Sequence, residues 1–409
     1  MPRARGTRGL GALGQRAAAL LLAAGLVAAP VVPRESRWWA GPAVAWADSG
    51  WITEPVTLSQ PVAPWNVPGL PVPAAPPPAN PASAATAPRQ IQARCGDRYR
   101  PPETAEDAQV VAAGWTLLGG ASAGWDVRVV RGVTDVDERC QPVIYQDLVF
   151  VGGLFAGTIS PARLTRGEDG DLWARVLASP NHLVTEFAQY YPENPRCCPA
   201  GVVALDLQLQ RPGGPAVVTP GRAESLPAPP APAYAGDPAA VTADGGGAWL
   251  NAVPASWNQI GAPVPPAPPA QSWPDACGGL LRAPQTDADA RVAAAGWALL
   301  GGYTTGWGVT VVHGVTGADA RCRPRGYQAF IFVDGAFAGT AAPQPTDAGT
   351  DGALAALDLA QEDQLSAAFQ RYEGGEPSGG PSGLTRLDLG IARSGAGPLV
   401  TPLGPPPPG

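Results

Sequence analysis

The chain has 409 residues, 45% of them hydrophobic and 15% charged, with a formal net charge of −7. That leaves room for two or three domains with ordinary packed cores. An acidic balance without a basic stripe excludes nucleic acid, whose phosphates need clustered cations. The 52 Gly and 50 Pro gather outside the patterned regions, so they mark linkers and argue against one large enzyme.

Arg3, Arg5, Arg8 and Arg16 precede an apolar run from Ala17 to Val32, and small-residue sites follow at Ala43-Val44-Ala45 and Ala45-Trp46-Ala47. This pattern predicts a secretory signal over residues 1–47. The apolar run is shorter than the roughly 18 to 20 residues of a spanning helix. The expected location is therefore secreted or envelope-associated, with anchoring if the signal stays uncleaved. No Cys follows the run to accept a lipid.

Internal self-similarity is the strongest signal. Cys95 matches Cys277, Gly114-Trp115 matches Gly296-Trp297, Gly124-Trp125 matches Gly306-Trp307, Cys140 matches Cys322, and Phe155-Ala156-Gly157-Thr158 matches Phe337-Ala338-Gly339-Thr340. One constant offset of 182 relates every pair and runs on to Val218-Thr219-Pro220 and Val400-Thr401-Pro402. Residues 95–220 and 277–402 are thus expected as repeat domains 1 and 2. A proline-rich linker over 48–94, a proline- and glycine-rich one over 221–276 and a proline-rich tail over 403–409 complete the chain. Such linkers favour extended polyproline II, so the domains are expected to fold alone and to sit as far apart as ~100 Å or fold back on each other. A shorter echo, Trp65-Asn66-Val67-Pro68-Gly69 against Trp257-Asn258-Gln259-Ile260-Gly261, precedes each copy. It reads as an inherited linker whose Trp rests on its own domain, or as a docking motif.

Within each copy, Thr104-Ala105-Glu106-Asp107 and Thr286-Asp287-Ala288-Asp289 fit the helix-start pattern in which a hydroxyl and a later carboxylate satisfy free N–H groups. A short helix then runs to about Ala113 or Ala295 and ends at Gly114 or Gly296. Alternation from Trp125 to Arg131 and from Trp307 to His313 predicts a half-buried strand. Asp334-Gly335, between apolar runs, predicts a hairpin, with Gly152-Gly153 as the turn in copy one. Further strands are expected at Leu172–Leu177, Leu183–Tyr190 and Val202–Gln210. The expected class is α+β: two tandem domains, each a short helix packed on an antiparallel sheet of about five strands.

Six Cys in an exported chain read first as disulfides. The duplication selects Cys95 with Cys140 and Cys277 with Cys322, each closure contributing about 4 kcal/mol in the chain-entropy account. Cys197 and Cys198 are adjacent and occur in the first copy alone, where the second has Gly379-Gly380. They bond to each other, as a loop closure or a redox or ligand-clamping pair, or the framework differs. No cofactor is implied, and a metal site is not expected because no second Cys or His pair stands at ligand spacing.

His182 and His313 are the two histidines, and their equivalents are Gln364 and Arg131, which excludes a shared His-based catalytic site. No nucleophile-elbow, zinc-protease, P-loop or dinucleotide pattern occurs. Asp135 with Asp137 reads as solvated loop charge. Trp115 with Trp125, and Trp297 with Trp307, read as packing, with glycan stacking as the sharper alternative. No catalytic residue is expected.

Cys95-Gly96, the helix ending in Gly114-Trp115, the hairpin reaching Phe155-Ala156-Gly157-Thr158, and Cys197-Cys198-Pro199-Ala200-Gly201 together resemble the LppP/LprE family of actinobacterial cell-envelope lipoproteins. The resemblance covers both copies and implies an exported envelope protein without catalytic residues to transfer. This chain departs from it in lacking the lipid-accepting cysteine and, in copy two, the Cys pair. The expected function is a non-catalytic binding or interaction protein. Its expected partner is an envelope protein, a glycan or a small apolar ligand. The alternatives are a carrier of an apolar ligand on the sheet's concave face, or a hydrolase or redox protein using Cys197-Cys198.

Overall fold

The computed structural model describes residues 64–76, 91, 93–137, 140–166, 170–190, 201–227, 233–234, 248–251, 253–372, 381 and 383–403. The signal segment 1–47 and Cys197-Cys198 with Gly379-Gly380 lie outside the described residues.

Copy one opens with helix α1 (Ala105–Ala112), started by Thr104, whose hydroxyl accepts from Asp107 N at 3.3 Å. Strands β1 (Thr116–Leu117), β2 (Ala121–Gly124), β3 (Val127–Val136), β4 (Pro142–Val151) and β5 (Leu154–Thr158) follow. β3 lies between β4 and the β1–β2 edge, and β5 pairs with β4, all antiparallel. A second antiparallel sheet, in chain order, comprises β6 (Leu172–Ser179), β7 (His182–Gln189), β8 (Gly201–Gln210) and β9 (Val217–Pro227).

Copy two repeats the series. It has helix α2 (Asp287–Ala294), β10 (Ala298–Leu300), β11 (Tyr303–Gly306), β12 (Val309–Val315), β13 (Gln328–Val333) and β14 (Ala336–Thr340). Its second sheet has β15 (Leu354–Gln361), β16 (Gln364–Arg371), β17 (Gly383–Ser394) and β18 (Gly397–Pro402). Both β-turns after β4 and β13 have the positive φ their residues allow: 58° and 80° at Gly152-Gly153, 48° and 78° at Asp334-Gly335.

The chain is thus mostly β, in several antiparallel sheets, and the single five-stranded sheet per copy is corrected to two layers of strands beneath one helix. Strand β4 shows why. Leu148 and Phe150 pack with Val110, Trp115 and Val130 on the helix side. Val149 and Val151 pack with Leu183, Phe187, Leu205 and Leu207 of the second sheet. A strand covered on both faces reads as a continuous apolar run rather than an alternating one. In β7 and β8 the alternation returns, with Leu183, Phe187, Val203, Leu205 and Leu207 turned inward.

The linkers fold against the copies. Trp65 Nε1 donates to Thr158 O at 3.1 Å, and Asn66 Nδ2 donates to Thr158 O at 2.9 Å and Val218 O at 3.0 Å while its Oδ1 accepts from Thr158 N at 2.9 Å. Asn66 therefore ties the last strand of one sheet to the last strand of the other. Trp257 and Asn258 make the same bonds to Thr340 and Val400. This explains the glycine in each Phe-Ala-Gly-Thr: a Cβ on Gly157 or Gly339 would fall 2.4 or 2.3 Å from the Asn side chain. Further on, Trp115 Nε1 donates to Pro73 O at 2.8 Å and Trp297 Nε1 to Pro265 O at 2.9 Å. The folded body starts upstream of residue 95.

The expectation of widely separable domains is also corrected. Both copies fall within one compact unit, Arg37–Gly409. β2 pairs antiparallel with β11, Tyr303 opposite Ala123, Thr304 opposite Ser122 and Thr305 opposite Ala121, so one 12-stranded sheet runs through both copies. The connector contributes as well, since Ala233–Tyr234 pairs in parallel with Thr385 and Arg386 of β17.

Candidate functional site

The region where the copies meet gathers several buried charged side chains. Its backbone contacts are reciprocal. Gly120 N donates to Leu359 O at 3.0 Å, and Gly302 N donates to Leu177 O at 2.9 Å. Trp125 N donates to Gln285 Oε1 and Trp307 N to Glu103 Oε1, both at 2.7 Å. Each pair interchanges the copies, as a two-fold axis through the Ser122–Thr304 pair requires. Trp125 and Trp307 have φ of 55° and 52°, a left-handed conformation that costs free energy in non-glycine residues and is held here by the other copy.

On the helix side of the seam sit two buried ion pairs. Arg100 binds Asp107 through two hydrogen bonds at 2.5 and 2.6 Å, and Arg282 binds Asp289 through two at 2.5 Å. Their Nε groups hold the loop carbonyls of Gly119 at 3.0 Å and Gly301 at 2.7 Å. Burial alone would raise both carboxyls, but the hydrogen bonds and charges of the arginines hold them below the ordinary carboxylate range. Breaking one partner would strand a charge in the interior, a loss of about 3–5 kcal/mol. The signal for these pairs was present in the sequence, because Arg100 with Arg282 and Asp107 with Asp289 obey the same offset as the cysteines.

On the other side of the sheet the copies differ. Asp147, fully buried, accepts from Arg131 Nε at 2.7 Å and Nη2 at 3.1 Å and from Arg175 Nη1. Arg175 reaches on to Ser122 Oγ and Gly120 O, each at 3.3 Å. The Arg131 guanidinium lies 4.8 Å from the Tyr145 ring centroid, and Tyr145 Oη donates to Asp171 and accepts from Leu172 N at 2.7 Å. Burial pushes the Asp147 carboxyl up, yet the two guanidiniums outweigh it and keep it well ionised. Such a carboxylate is an acceptor and a brace, not a proton shuttle at neutral pH.

Copy two replaces this cluster with neutral groups: His313 stands for Arg131, Ala329 for Asp147 and Leu357 for Arg175. His313 Nδ1 and Tyr327 Oη are 2.7 Å apart with their rings stacked, and burial, with Arg282 nearby, pushes the imidazole down to about 4. His182 Nε2 lies 3.2 Å from Asp206 Oδ1 in the second sheet of copy one. The structure does not bring the two histidines together.

The remaining sequence candidates fall as follows. Cys95–Cys140 and Cys277–Cys322 are disulfides with Cα–Cα distances of 5.5 and 5.4 Å, each tying the loop before the helix to the loop after the long strand of its copy. Trp115 and Trp297 are buried under the docked proline segments, while Trp125 and Trp307 pack half-buried against the cores between the sheets. Asp137 accepts from Gln141 N at 2.8 Å and shapes its loop. Among the described residues there is no cluster of His, Cys, Asp and Glu suited to a metal ion. Also among them, no helix is long and apolar enough to cross a membrane. Sequence reasoning missed Ser122 and Thr304, since a short run of small residues carries no strand signal, and it placed Arg175 on a strand without identifying Asp147 as its partner.

These features define a disulfide-clipped, mostly β protein built by internal duplication around a two-fold seam. Residues 302–388, within copy two, match the model of the LppP/LprE lipoprotein family. The matched stretch carries Gly379-Gly380, so the Cys pair is not needed for the match. No curated protein matches the chain. Among solved structures, the GH43_1 enzyme from Xanthomonas citri complexed with xylose is 14% identical, with 78% of this chain and 96% of that one covered and a TM-score of 0.21. The same enzyme complexed with xylotriose is 14% identical, with 74% and 96% covered and a TM-score of 0.18. Likenesses this distant carry no statement about fold or activity.

Proposed function

We propose that this protein is a non-catalytic binding component of the cell envelope that presents two related surfaces in one fixed arrangement. The seam carries the reading. Two copies joined by a continuous sheet and reciprocal backbone bonds hold their outer surfaces at a set spacing, which suits a target with repeated features. The buried ionisable groups support it, because Arg100, Asp107, Arg131, Asp147, Arg175, Arg282 and Asp289 are committed to one another as braces. Both faces of the first sheet are covered, by helix and by second sheet, which favours binding on the exterior over an apolar cargo on that sheet.

The test is sedimentation of the full chain with envelope fractions, followed by analysis of the supernatant. Retention of the chain without release of small products is the expected result. Release of a soluble product in proportion to time and protein, or a thiol-dependent conversion traced to Cys197-Cys198, would overturn the reading.

A further inference from the structure

The seam poses a problem of partner choice that its backbone does not solve. The antiparallel register is centred on Ser122 and Thr304, and every flanking bond has its counterpart on the other side. By backbone alone, copy one of one chain would pair equally well with copy one of another. A tandem chain using such pairings would grow into open assemblies instead of closing on itself.

We infer that the side chains of Arg175 and Tyr303 restrict this surface to unlike copies, so that the seam's one admitted partner is the opposite copy. The Arg175 side chain is 11% exposed and reaches the residue on the axis, 3.3 Å from Ser122 Oγ. Across the axis its counterpart is Leu357. If copy one met copy one, two poorly hydrated guanidiniums would converge on facing serines, and like charges brought together in such a setting repel strongly.

Size discriminates on the opposite face. Arg128, Ala123 and Tyr303 occupy one row across the sheet, a small residue between two large ones. The mirror row holds Thr310, Thr305 and Ala121. A pairing of copy two with itself would set Tyr303 against Thr305, beneath an Arg282 guanidinium already 5.1 Å from the Tyr303 ring centroid. A pairing of copy one with itself would set Ala123 against Ala121 and leave the row underfilled. Complementary size exists for unlike copies alone, while charge acts against copy one paired with itself.

The experiment places a protease site between residues 228 and 232 of the full chain, upstream of Ala233–Tyr234 so that this strand stays with copy two, and cleaves it after folding. The nicked protein is unfolded in denaturant with disulfides intact, refolded, and weighed by native mass spectrometry. Unlike pairs alone are expected from the natural sequence and from Arg175→Lys, which keeps the charge. Arg175→Leu, in which Arg131 still makes two hydrogen bonds to Asp147, should add pairs of copy one with itself, and Tyr303→Ala pairs of copy two. A statistical mixture of like and unlike pairs from the natural sequence would overturn the inference. So would halves that separate, or the absence of like pairs from both the Leu and the Ala variant.

Discussion

Ser122 and Thr304 stand opposite each other in the antiparallel pairing of β2 with β11, and because they hold the same place in each copy, they mark a two-fold axis inside a single chain. Everything distinctive about the molecule follows from that relationship. An edge strand normally exposes unpaired N–H and C=O groups and invites aggregation. Here two such edges close on each other, and the duplication that created them also supplied the cover.

Replacing Gly302 by Val should break the seam. A Cβ on Gly302 would lie 2.8 Å from Ala123 O and 3.2 Å from Leu177 Cβ, and the first of these is backbone that cannot step aside. Overpacking of this kind costs about 1–3 kcal/mol. The expected outcome is a lower melting temperature with faster hydrogen exchange at the amides of Gly120 and of residue 302. Unchanged exchange at both would show that the edges are not joined in solution.

Asn66→Ala should destabilise copy one by about 1–3 kcal/mol, because it takes the Asn66 bonds from the Val218 carbonyl and the Thr158 N–H and leaves the Thr158 carbonyl with the Trp65 indole alone. Asn66→Asp keeps the acceptor and loses the donor, so it should fall between. Asn258 should behave alike in copy two. Urea denaturation of the series measures both, and an Ala variant as stable as the parent would remove the clamp.

The sequence made visible the elements whose residues carry a pattern of their own. The helix starts at Thr104 and Thr286, the turn at Asp334-Gly335 and the alternation of Val203, Leu205 and Leu207 could be read directly. The second layer was harder to see, although the unbroken run from Leu148 to Val151 implied cover on both faces. The seam was the least legible part. Ala121-Ser122-Ala123-Gly124 has neither the bulk nor the branching of a strand, and it becomes one because β11 and β3 flank it. Asn66 read as linker because nothing in a tryptophan-asparagine pair announces two carbonyls more than 90 residues away.

Two half-buried titrating groups should pull stability in opposite directions with pH. Burial raises the Glu186 carboxyl from 4.5 to about 7, so its contribution is present at low pH and is lost as pH rises through 7. His313 is lowered from 6.5 to about 4, so its contribution is present above 6.5 and is lost as pH falls toward 4. Between about 4.5 and 6.5 the two slopes offset. Glu186→Gln should therefore stabilise the protein at pH 8 by on the order of 1 kcal/mol, reduced from the full shift because the side chain is half-buried. His313→Gln should flatten the acid limb. Urea midpoints at pH 5 and pH 8 decide, and a Glu186→Gln variant that gains no more over the parent at pH 8 than at pH 5 would contradict the assignment.

Removing a disulfide should matter in both copies. Cys95 and Cys140, like Cys277 and Cys322, are 45 residues apart, a closure contributing about 4 kcal/mol in the chain-entropy account. The double variant Cys95→Ala with Cys140→Ala should lower the denaturation midpoint, and the corresponding pair in copy two should do so by a similar amount. A loss confined to one copy would mean that the seam lets the other support its neighbour.

The connector should prove to be part of copy two. In copy one, the edge of β8 from Gly201 to Leu205 is covered by the far half of its own β9, Ala223–Pro227. In copy two the equivalent stretch of chain is Pro405 to Pro408, residues with no N–H to give a ladder. Ala233–Tyr234 takes that place beside Thr385 and Arg386, running parallel where β9 runs antiparallel. Replacing Ala233 and Tyr234 together by Pro removes the two donors without shortening the chain. Hydrogen exchange around Thr385 and Arg386 should then quicken while the matching amides of Val203 and Ala204 keep their protection, and thermal stability should fall by about 1–2 kcal/mol. Equal protection in parent and variant would show that β17 needs no strand from the connector.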